Sequence, residues 1–587
     1  MSAEIAGELS KQTKELVTRF EERANSLSRR GDLTALIVQL DRTAAERAAR
    51  LYFGEGEFTS TGIDGSMDYD ERLQMMIFYS NATAYSCPFS VGQHVVFDLD
   101  SARRDSKLSA SAAVPLWAED IADVISREPE IDIELEHSME RIPNAFMTLG
   151  EFYLAVKATE SSRLLFLDRP LSGTFATLSR DARNLLKRGK SRLVDWSRGR
   201  SGISMLDIFL AVHLGSPTMH VPPRGTYISS AVVRELLSGP MTLSSLASSL
   251  HTTERSVEKA VKRLSKAESW LDGKIFEECG PERFKLTDGA LGYWERVASF
   301  ALDYSSAIFD EHRHPLLVGG DEHLTVLDVN TTALFLLCYL HQVSLEKKCL
   351  LVGVAKDTTA TDIARAVLPF ATARGFIRLD GPQPRLKNDR TFLAILSAEN
   401  PSVQTPWRTV GYDSAFSTVV HNEGEFRSAR KVVSRERLFI RSFFQLRTFR
   451  SDQAMRSQVF LFDRVFDPGA DSSQVRSFKV VERSSETEVS AYFEGKEGSD
   501  ASNLILYLLS LCDNPEVFEA FGHNQLLYLA DKAVKAEVRL LRSSLRGVAD
   551  LRVGGLTRRR RMHNLITTFR EQRAEAEHGR MSARREA

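Results

Sequence analysis

Apolar residues recur at helical spacing through the N-terminal part of the chain. The stretches LVTRFEERANSLSRR and LTALIVQLDRTAAERAARLY repeat an apolar side chain every three or four positions, which is typical of one buried face of an α-helix. We therefore predict that residues 1–55 form a helical arm, which either packs as a hairpin or binds a partner.

Short runs of β-branched and aromatic residues, separated by turn-forming residues, follow this arm. Residues 58–100 contain TSTGIDGSM, MMIFYSNATAYSC and HVVFDLD, and residues 161–175 contain SRLLFLDRPLSGTF. Residues 345–370, LEKKCLLVGVAKDTTATDIARAVLPF, predict a strand, a turn and then a helix. Because strands alternate with helices, the pattern favours an α/β fold built around a mixed sheet.

The middle of the chain has a different pattern. Residues 241–270, MTLSSLASSLHTTERSVEKAVKRLSKAESW, predict two short amphipathic helices joined by a tight turn, with Thr253 capping the second helix. The following KIFEECGPERFKLTDGALGYW predicts two short strands around a Gly-Pro turn. Together these elements indicate a winged helix over about residues 226–297.

The second helix of this module carries four basic residues, Arg255, Lys259, Lys262 and Arg263. We predict that they contact DNA. A solvated charged face, or a module that docks onto protein, explains them equally well.

Composition places the chain among ordinary globular proteins of two or more domains, with 587 residues, 43% of them hydrophobic and 26% charged. A net charge of −1 gives no overall field that favours nucleic acid, so local charge has to carry such a role. Two basic segments stand out: residues 183–200, and the C-terminal stretch that contains Arg558–Arg561. Each is either a solvated surface or an arm that contacts phosphates.

Cysteine content and apolar runs bear on the cellular compartment. The five cysteines are scattered without a CxxC pair, which argues against a disulfide framework and favours a reducing cytoplasm. The N-terminus carries charges where a signal peptide would have an apolar segment. The longest apolar run, TTALFLLCYL at residues 331–340, is about half as long as a membrane span, so we predict a buried helix and no membrane association.

Three acidic residues are candidates for a shared site. Asp64 lies in TGIDGSMDYDERLQMM, where Asp-Gly is first of all a hairpin signal and a metal-binding carboxylate is the alternative. Asp168 follows the apolar run LLFL, and Glu151 lies in TLGEFYLAVK, a predicted helix that leads into that strand. Acids on neighbouring elements converge at the C-terminal edge of an α/β sheet, where such folds place their sites.

Converging carboxylates repel one another, and a divalent cation such as Mn²⁺ or Mg²⁺ relieves that repulsion. Two such ions, held side by side, are a means of hydrolysing phosphodiester bonds. The chain lacks a GxxxxGK[ST] loop, a GxGxxG loop between strand and helix, a GxSxG elbow and an HExxH pair. The sequence therefore points to metal-dependent phosphodiester hydrolysis.

In their order and spacing, these motifs resemble those of the NurA nucleases. The family has an Asp-Gly-Ser motif, a helical Glu motif and a Leu-Asp motif, which correspond here to GIDGS, LGEFYLA and LLFLDRPLSG. A later strand and turn of the family resemble LLVGVAKDTT, and its C-terminal helix resembles FGHNQLLYLADKAVKAEV. The resemblance covers roughly residues 58–186 and 324–545. The chain departs from the pattern in three ways: Arg169 stands where Gly is usual, Asp531 stands where His is usual with His523 upstream, and the winged helix is inserted.

The resemblance implies an RNase H-like α/β nuclease core that cleaves DNA with Mn²⁺ or Mg²⁺. It further implies a homodimer that works with HerA, a hexameric ring ATPase, in DNA end processing or in defence against foreign DNA. By the same resemblance Asp64, Glu151 and Asp168 would bind metal, Lys356 would steady the phosphate, and Asp531 would complete the site.

We therefore predict five regions: a helical arm at residues 1–55, the nuclease core at residues 56–190 and 323–545, an insertion with the winged helix at residues 191–322, and a basic tail at residues 546–587. Two rivals remain. One is a non-catalytic winged-helix DNA-binding regulator or scaffold with a degenerate nuclease core. The other is an RNase H-like enzyme that acts on RNA.

Overall fold

A mixed sheet of 11 strands forms the centre of the protein. The computed structural model describes residues 9–19, 22, 32–72, 75–125, 139–197, 202–219, 227–280, 283–319, 322–379, 388–422, 424–428, 438–448, 456–482, 485–495, 498–513 and 522–560. The α/β fold with a large mixed sheet, predicted from the alternation of strands and helices, is confirmed.

The described strands are β1 (Ile37–Gln39), β2 (Gly56–Arg72), β3 (Met75–Val91), β4 (Val95–Phe97), β5 (Arg103–Trp117), β6 (Leu164–Leu167), β7 (Met241–Thr242), β8 (Phe276–Glu278), β9 (Arg283–Leu286), β10 (Leu317–Gly319), β11 (Glu322–His323), β12 (Leu350–Ala355), β13 (Trp407–Thr409), β14 (Tyr412–Asp413), β15 (Val419–Asn422), β16 (Glu425–Ser428), β17 (Phe439–Gln445), β18 (Phe460–Val465), β19 (Val475–Glu482) and β20 (Ser485–Tyr492).

The described α-helices are α1 (Arg42–Phe53), α2 (Ile121–Ile125), α3 (Arg141–Ala158), α4 (Leu171–Lys187), α5 (Arg192–Trp196), α6 (Met205–Leu214), α7 (Tyr227–Leu237), α8 (Leu243–Ser249), α9 (Glu254–Ser265), α10 (Tyr293–Phe309), α11 (Val326–Glu346), α12 (Leu368–Ala373), α13 (Asp389–Glu399), α14 (Pro468–Asp471), α15 (Asp500–Leu511) and α16 (Gln525–Arg560). Residues 9–19 are also helical, and their side chains are exposed.

The large sheet has the strand order β1-β13-β17-β18-β12-β6-β2-β3-β4, with β14 paired to β17 and β5 paired to β3. Its three central strands, β12, β6 and β2, run parallel, whereas the other pairs are antiparallel. Parallel strands are buried on both faces, which explains why β6 reads as the unbroken apolar run LLFL.

Successive side chains of β6 enter different cores, since a strand alternates its side chains between the two faces of a sheet. Leu165 and Leu167 pack into one core with α3, α4, α10 and α11. Leu164 and Phe166 pack into the other with α1, α15 and the start of α16. Helices thus cover both faces of the central strands.

Helix α11 contains the predicted buried run at residues 331–340. Thr325 and Asp328 cap its start reciprocally. Within the described residues it is the one helix long and apolar enough to cross a membrane, and 83% of its apolar window is buried inside the protein. A helix at the core of a folded domain passes the same test.

The N-terminal arm differs from its prediction. Ile37–Gln39 form an edge strand instead of continuing a helix, and α1 begins only at Arg42, where the Asp41 side chain accepts a hydrogen bond from the Ala44 backbone N–H at 3.0 Å. The β-branched pair Ile37 and Val38 favours extended backbone, and pairing with β13 outweighs the helical spacing.

The hairpin expected at the Asp-Gly-Ser sequence is also absent, because β2 runs through it without a turn and pairs with β3 along its whole length. Gly65 serves close packing instead. A Cβ atom there would lie 2.5 Å from Met147 Cγ and would also collide with the Glu151 carboxylate. Glycine at this position lets α3 approach the strand.

The elements predicted for the winged helix occur in the expected order. Helices α7, α8 and α9 accompany a three-stranded sheet of order β7-β9-β8. Thr253 caps α9 as predicted, by accepting a hydrogen bond from the Ser256 N–H at 3.3 Å. The winged-helix assignment and the domain division stay predictions. The long helix α16 crosses residue 545, where the sequence placed a boundary, and the side chains of Arg558–Arg561 lie outside the described residues.

Candidate active site

Three neighbouring parallel strands deliver the first residues of the site. The β2–β6 ladder ends at the pair Ile63 and Leu167, after which the Asp168 backbone N–H donates to the Ile63 carbonyl at 3.0 Å. Lys356 follows directly after β12, which pairs in parallel with β6 on its other side. Asp64, Asp168 and Lys356 therefore reach the same C-terminal edge of the sheet, as the position of Asp64 and Asp168 along the sequence predicted.

The period of the strands also assigns a face to each side chain. Ile63 and Leu167 pack into the core that contains α3. The residues that follow them, Asp64 and Asp168, consequently point to the face covered by α16. Lys356 continues the row of Val352 and Val354, which lies on that same face.

The contacts agree with this assignment. The Lys356 ammonium forms an ion pair with the Asp168 carboxylate. Burial lowers the pKa of Lys356, but attraction to Asp168 and Asp64 outweighs burial, so its pKa is raised. Burial raises the pKa of Asp168, and Lys356 opposes that rise.

The Asp64 carboxyl is strongly perturbed. Burial raises its pKa from 3.8 to about 9, repulsion from Asp168 and Glu151 adds to the rise, and Lys356 opposes it. Asp168 and Asp531 lie close enough to Asp64 to affect its pKa. Carboxylates that crowd together in this way repel one another, and each one disfavours ionisation of its neighbours.

Asp531 comes from α16. It forms an i,i+4 ion pair with Lys535 at 2.7 Å, and it also reaches Asp64. Burial would raise the pKa of Asp531, but the hydrogen bond from Lys535 and attraction to Lys356 lower it below its usual value. Attraction to these two ammonium groups thus favours the ionised form of Asp531.

Glu151 lies on the other face of β2, on α3. Its side chain is 2% exposed, and its carboxylate receives two hydrogen bonds from the Arg169 guanidinium, one of them from Nη2 to Oε1 at 2.9 Å. Arg169 Nη1 also donates to Thr148 Oγ1 at 3.0 Å. Burial raises the pKa of Glu151, and Arg169 opposes the rise.

His523 lies at the approach to α16, close enough to Lys356 and Asp531 for both to affect its pKa. It is 7% exposed, and within the described residues neither ring nitrogen has a hydrogen-bond partner. Burial lowers its pKa to about 3, so the ring is neutral. The sequence noted His523 and Arg169 only as departures from a pattern. A buried polar group without a partner becomes visible only once the fold is known.

The predicted DNA-binding residues lie apart from this cluster, on α9. Its buried face is formed by Val257, Ala260, Val261 and Leu264. The predicted residues Arg255, Lys259, Lys262 and Arg263 are all exposed. Lys262 forms an ion pair with Glu258 at 2.5 Å, as a solvated face would also show. Contact with DNA stays a prediction.

The donor set suits a hard divalent cation in chemistry. Asp64, Asp168 and Asp531 offer carboxylate oxygens on one face, and a cation there would offset the repulsion among them. Within the described residues no group of three or more His, Cys, Asp or Glu side chains is already arranged around a common metal position. Lys356 and Arg169 hold two of the acids instead.

A scan against protein-family models gives no match, and no curated protein sequence matches the chain. The chain is similar to solved structures of NurA nucleases. The match to the NurA nuclease from Sulfolobus solfataricus has 9% identity and a TM-score of 0.34, and covers 91% of this chain and 93% of that chain. NurA with manganese matches with 11% identity and a TM-score of 0.34 over 92% of this chain and 98% of that chain, and NurA bound to dAMP and manganese matches with 13% identity and a TM-score of 0.26 over 78% of this chain and 86% of that chain. TM-scores this low do not establish a family.

Proposed function

We propose that this protein is a divalent-metal-dependent nuclease that hydrolyses phosphodiester bonds in DNA. One observation carries the proposal. Three acids, Asp64, Asp168 and Asp531, lie on one face at the C-terminal edge of the sheet beside the ammonium of Lys356, and Glu151 lies on the opposite face of β2. Such a concentration of buried acids costs folding free energy, and binding a cation that takes part in function accounts for it.

Each residue has a role in this proposal. Asp64, Asp168 and Asp531 would hold the metal. The sequence prediction named Glu151 as a metal ligand in addition to Asp64 and Asp168, but Arg169 binds its carboxylate in the structure. A bound Mn²⁺ or Mg²⁺ supplies Lewis-acid stabilisation of the phosphate and activates water. Lys356, whose side chain is 30% exposed, would neutralise phosphate oxygens as charge develops on them.

The finer predictions form part of the same proposal. The core would be RNase H-like, the inserted segment would be a winged helix that contacts DNA through α9, and the protein would act as a cytoplasmic homodimer with a HerA-type ATPase in DNA end processing or defence. Support comes from the sequence resemblance and from the four exposed basic residues of α9, Arg255, Lys259, Lys262 and Arg263.

The test is cleavage of labelled single- and double-stranded DNA with Mn²⁺, Mg²⁺ or EDTA. We expect cleavage with Mn²⁺ or Mg²⁺ and none with EDTA. Asp64→Asn and Asp168→Asn should each abolish it, while Asp303→Asn, a change to an exposed acid on α10, should not. Wild-type turnover by well-folded Asp64→Asn or Asp168→Asn protein would remove that residue from the site. Cleavage of RNA in preference to DNA would favour an RNA enzyme.

A second candidate is a scaffold with a degenerate nuclease core. The observation in its favour is that Arg169 and Lys356 already engage Glu151 and Asp168. A scaffold would bind DNA yet leave it intact with every divalent metal tested. That result in folded protein would select the scaffold.

A further inference from the structure

Arg169 and Glu151 form a closed unit at the edge of the sheet. Two donors of the guanidinium bind the two oxygens of the carboxylate, a third binds Thr148, and the guanidinium carbon lies 5.4 Å from the centre of the Phe152 ring. A two-point guanidinium–carboxylate pair is among the stronger polar interactions in proteins, and arginine does not lose its proton at any pH at which proteins function.

Lys356 makes a different kind of contact with Asp168. It offers a single ammonium on a flexible chain, and 30% of its side chain is exposed. The Arg169 guanidinium is held by three hydrogen bonds, and only 11% of the Arg169 side chain is exposed. The Lys356 ammonium can therefore move to a phosphate, or give way to a metal ion, more readily than the guanidinium can.

The Arg169–Glu151 pair and the Lys356–Asp168 pair lie on opposite faces of the sheet. Asp64, Asp168 and Asp531 meet on the face of α16, where the neutral His523 has both ring nitrogens without a partner in the described part of the chain. Glu151 approaches from α3 on the opposite face, against Gly65. The three aspartates are thus available together, and Glu151 is not.

Charge favours the same conclusion. The Arg169 guanidinium offsets the charge of Glu151, whereas the Lys356 ammonium pairs with Asp168 alone among the three aspartates. The excess of negative charge therefore lies with Asp64, Asp168 and Asp531, where a divalent cation would offset it. Lys535 adds little, because 55% of its side chain is exposed to water.

We propose that Arg169 takes the place of a second metal ion at Glu151, so that the site binds one divalent cation through Asp64, Asp168 and Asp531. This inference rests on the proposed metal-dependent nuclease function and narrows it to a single-cation site. Glu151 then acts as a positioning residue that holds Arg169 rather than as a metal ligand.

The test counts Mn²⁺ ions bound to each chain, by electron paramagnetic resonance of free and bound Mn²⁺. We expect about one ion per wild-type chain, with the spectrum of an isolated ion, since two ions roughly 3.5–4 Å apart would broaden each other's lines. Arg169→Ala should raise the count to about two, because it frees the Glu151 carboxylate. Arg169→Lys and the control Arg180→Ala, an exposed arginine of α4, should stay at about one.

Arg169→Ala leaves the buried Glu151 carboxylate without its partner, so this variant can fail to fold. A double variant, Glu151→Gln with Arg169→Ala, leaves no buried charge unpaired and therefore serves as a second test. It should bind about one Mn²⁺ with wild-type affinity. Three results would each overturn the inference. The wild type could bind two magnetically coupled ions, or folded Arg169→Ala could still bind about one ion. The double variant could also lose about tenfold or more in affinity for Mn²⁺. If the wild type binds no Mn²⁺ and does not cleave DNA, the proposed function fails together with the inference.

Discussion

At the scale of single residues, two glycines of β2 decide how closely the site can assemble. A Cβ atom at Gly62 would lie 2.7 Å from Leu526 Cβ on α16, and one at Gly65 would collide with Met147 and Glu151 on α3. These glycines therefore allow helices to approach the same strand from opposite faces, and those helices carry Asp531 and Glu151.

Gly65→Ala should lower the free energy of unfolding by about 1–3 kcal/mol, because the new methyl group forces α3 away from β2. Urea denaturation measures the change. Gly92→Ala is the matched control, since a Cβ atom there meets nothing within 4 Å and the residue does not need a left-handed backbone. Equal stability of the two variants would show that α3 does not pack as closely as the structure has it.

Variants of Asp531 and Lys535 distinguish a role of Asp531 in the site from a role as a surface acid. Lys535→Ala should change the free energy of unfolding by less than about 0.5 kcal/mol, as for other exposed i,i+4 pairs. Asp531→Asn should raise the Mn²⁺ concentration needed for half-maximal DNA cleavage, and Asp531→His should retain more activity with Mn²⁺ than Asp531→Ala, because imidazole also ligates Mn²⁺. Identical Mn²⁺ titrations for wild type and all three Asp531 variants would place Asp531 outside the site.

At the scale of secondary structure, α16 connects the site to the long β2–β3 pair. Arg542 donates to Asp68 at 2.7 Å and to Asp70 at 3.4 Å, while Glu537 binds Arg104 from β5 and accepts from Thr83 Oγ1 at 3.1 Å. These contacts fix the rotation of α16 about its axis. Asp531 lies on the same helix and is consequently held toward Asp64.

Arg542→Ala should lower the free energy of unfolding by about 1–3 kcal/mol, because it weakens the pairing of Asp70, which is 4% exposed. It should also weaken Mn²⁺ binding by loosening the position of Asp531. Arg539→Ala, which changes an exposed arginine of the same helix, is the control for both measurements. A variant that keeps wild-type stability and Mn²⁺ affinity would show that the anchor lies elsewhere.

Helix α9 offers a second test at this scale. Changing Arg255, Lys259 and Lys262 to Glu should weaken DNA binding. It should also make the slope of log binding constant against log salt concentration less steep, by about one unit for each phosphate that the variant no longer neutralises. Cleavage of short single strands should persist, because the proposed metal-binding aspartates are on other elements. Binding titrations at several salt concentrations measure the slope, and an unchanged slope would favour a protein-docking module.

At the scale of the whole molecule, the predicted arm divides in two. Leu33, Leu36, Ala45 and Phe53 are buried in the cores of the large sheet, so residues 33–53 belong to the folded body. Residues 9–19 form a helix with exposed apolar side chains, Leu9, Leu16 and Val17 among them. A partner that docks on the arm would therefore use residues before position 32.

Deleting residues 1–31 should leave the thermal midpoint and DNA cleavage unchanged but abolish co-purification with a HerA-type ATPase. A deletion to residue 50 would remove core side chains and would confuse loss of binding with loss of folding. If the shorter truncation still forms the complex, the docking surface lies on the folded body.

The sequence by itself determined the α/β class, the strands that end at Asp168 and Lys356, and the helices and strands of residues 241–286, because periodicity and turn residues are local properties. It was misleading at residues 37–39 and at Gly65, where pairing with a distant strand and close packing by a distant helix override the local signal. Only the tertiary structure decided which acids share a face. Asp64 and Asp531 are hundreds of residues apart, and the Arg169–Glu151 pair depends on how α3 crosses β2. Burial and charge at the site arise from those long-range contacts, so no local pattern encodes them.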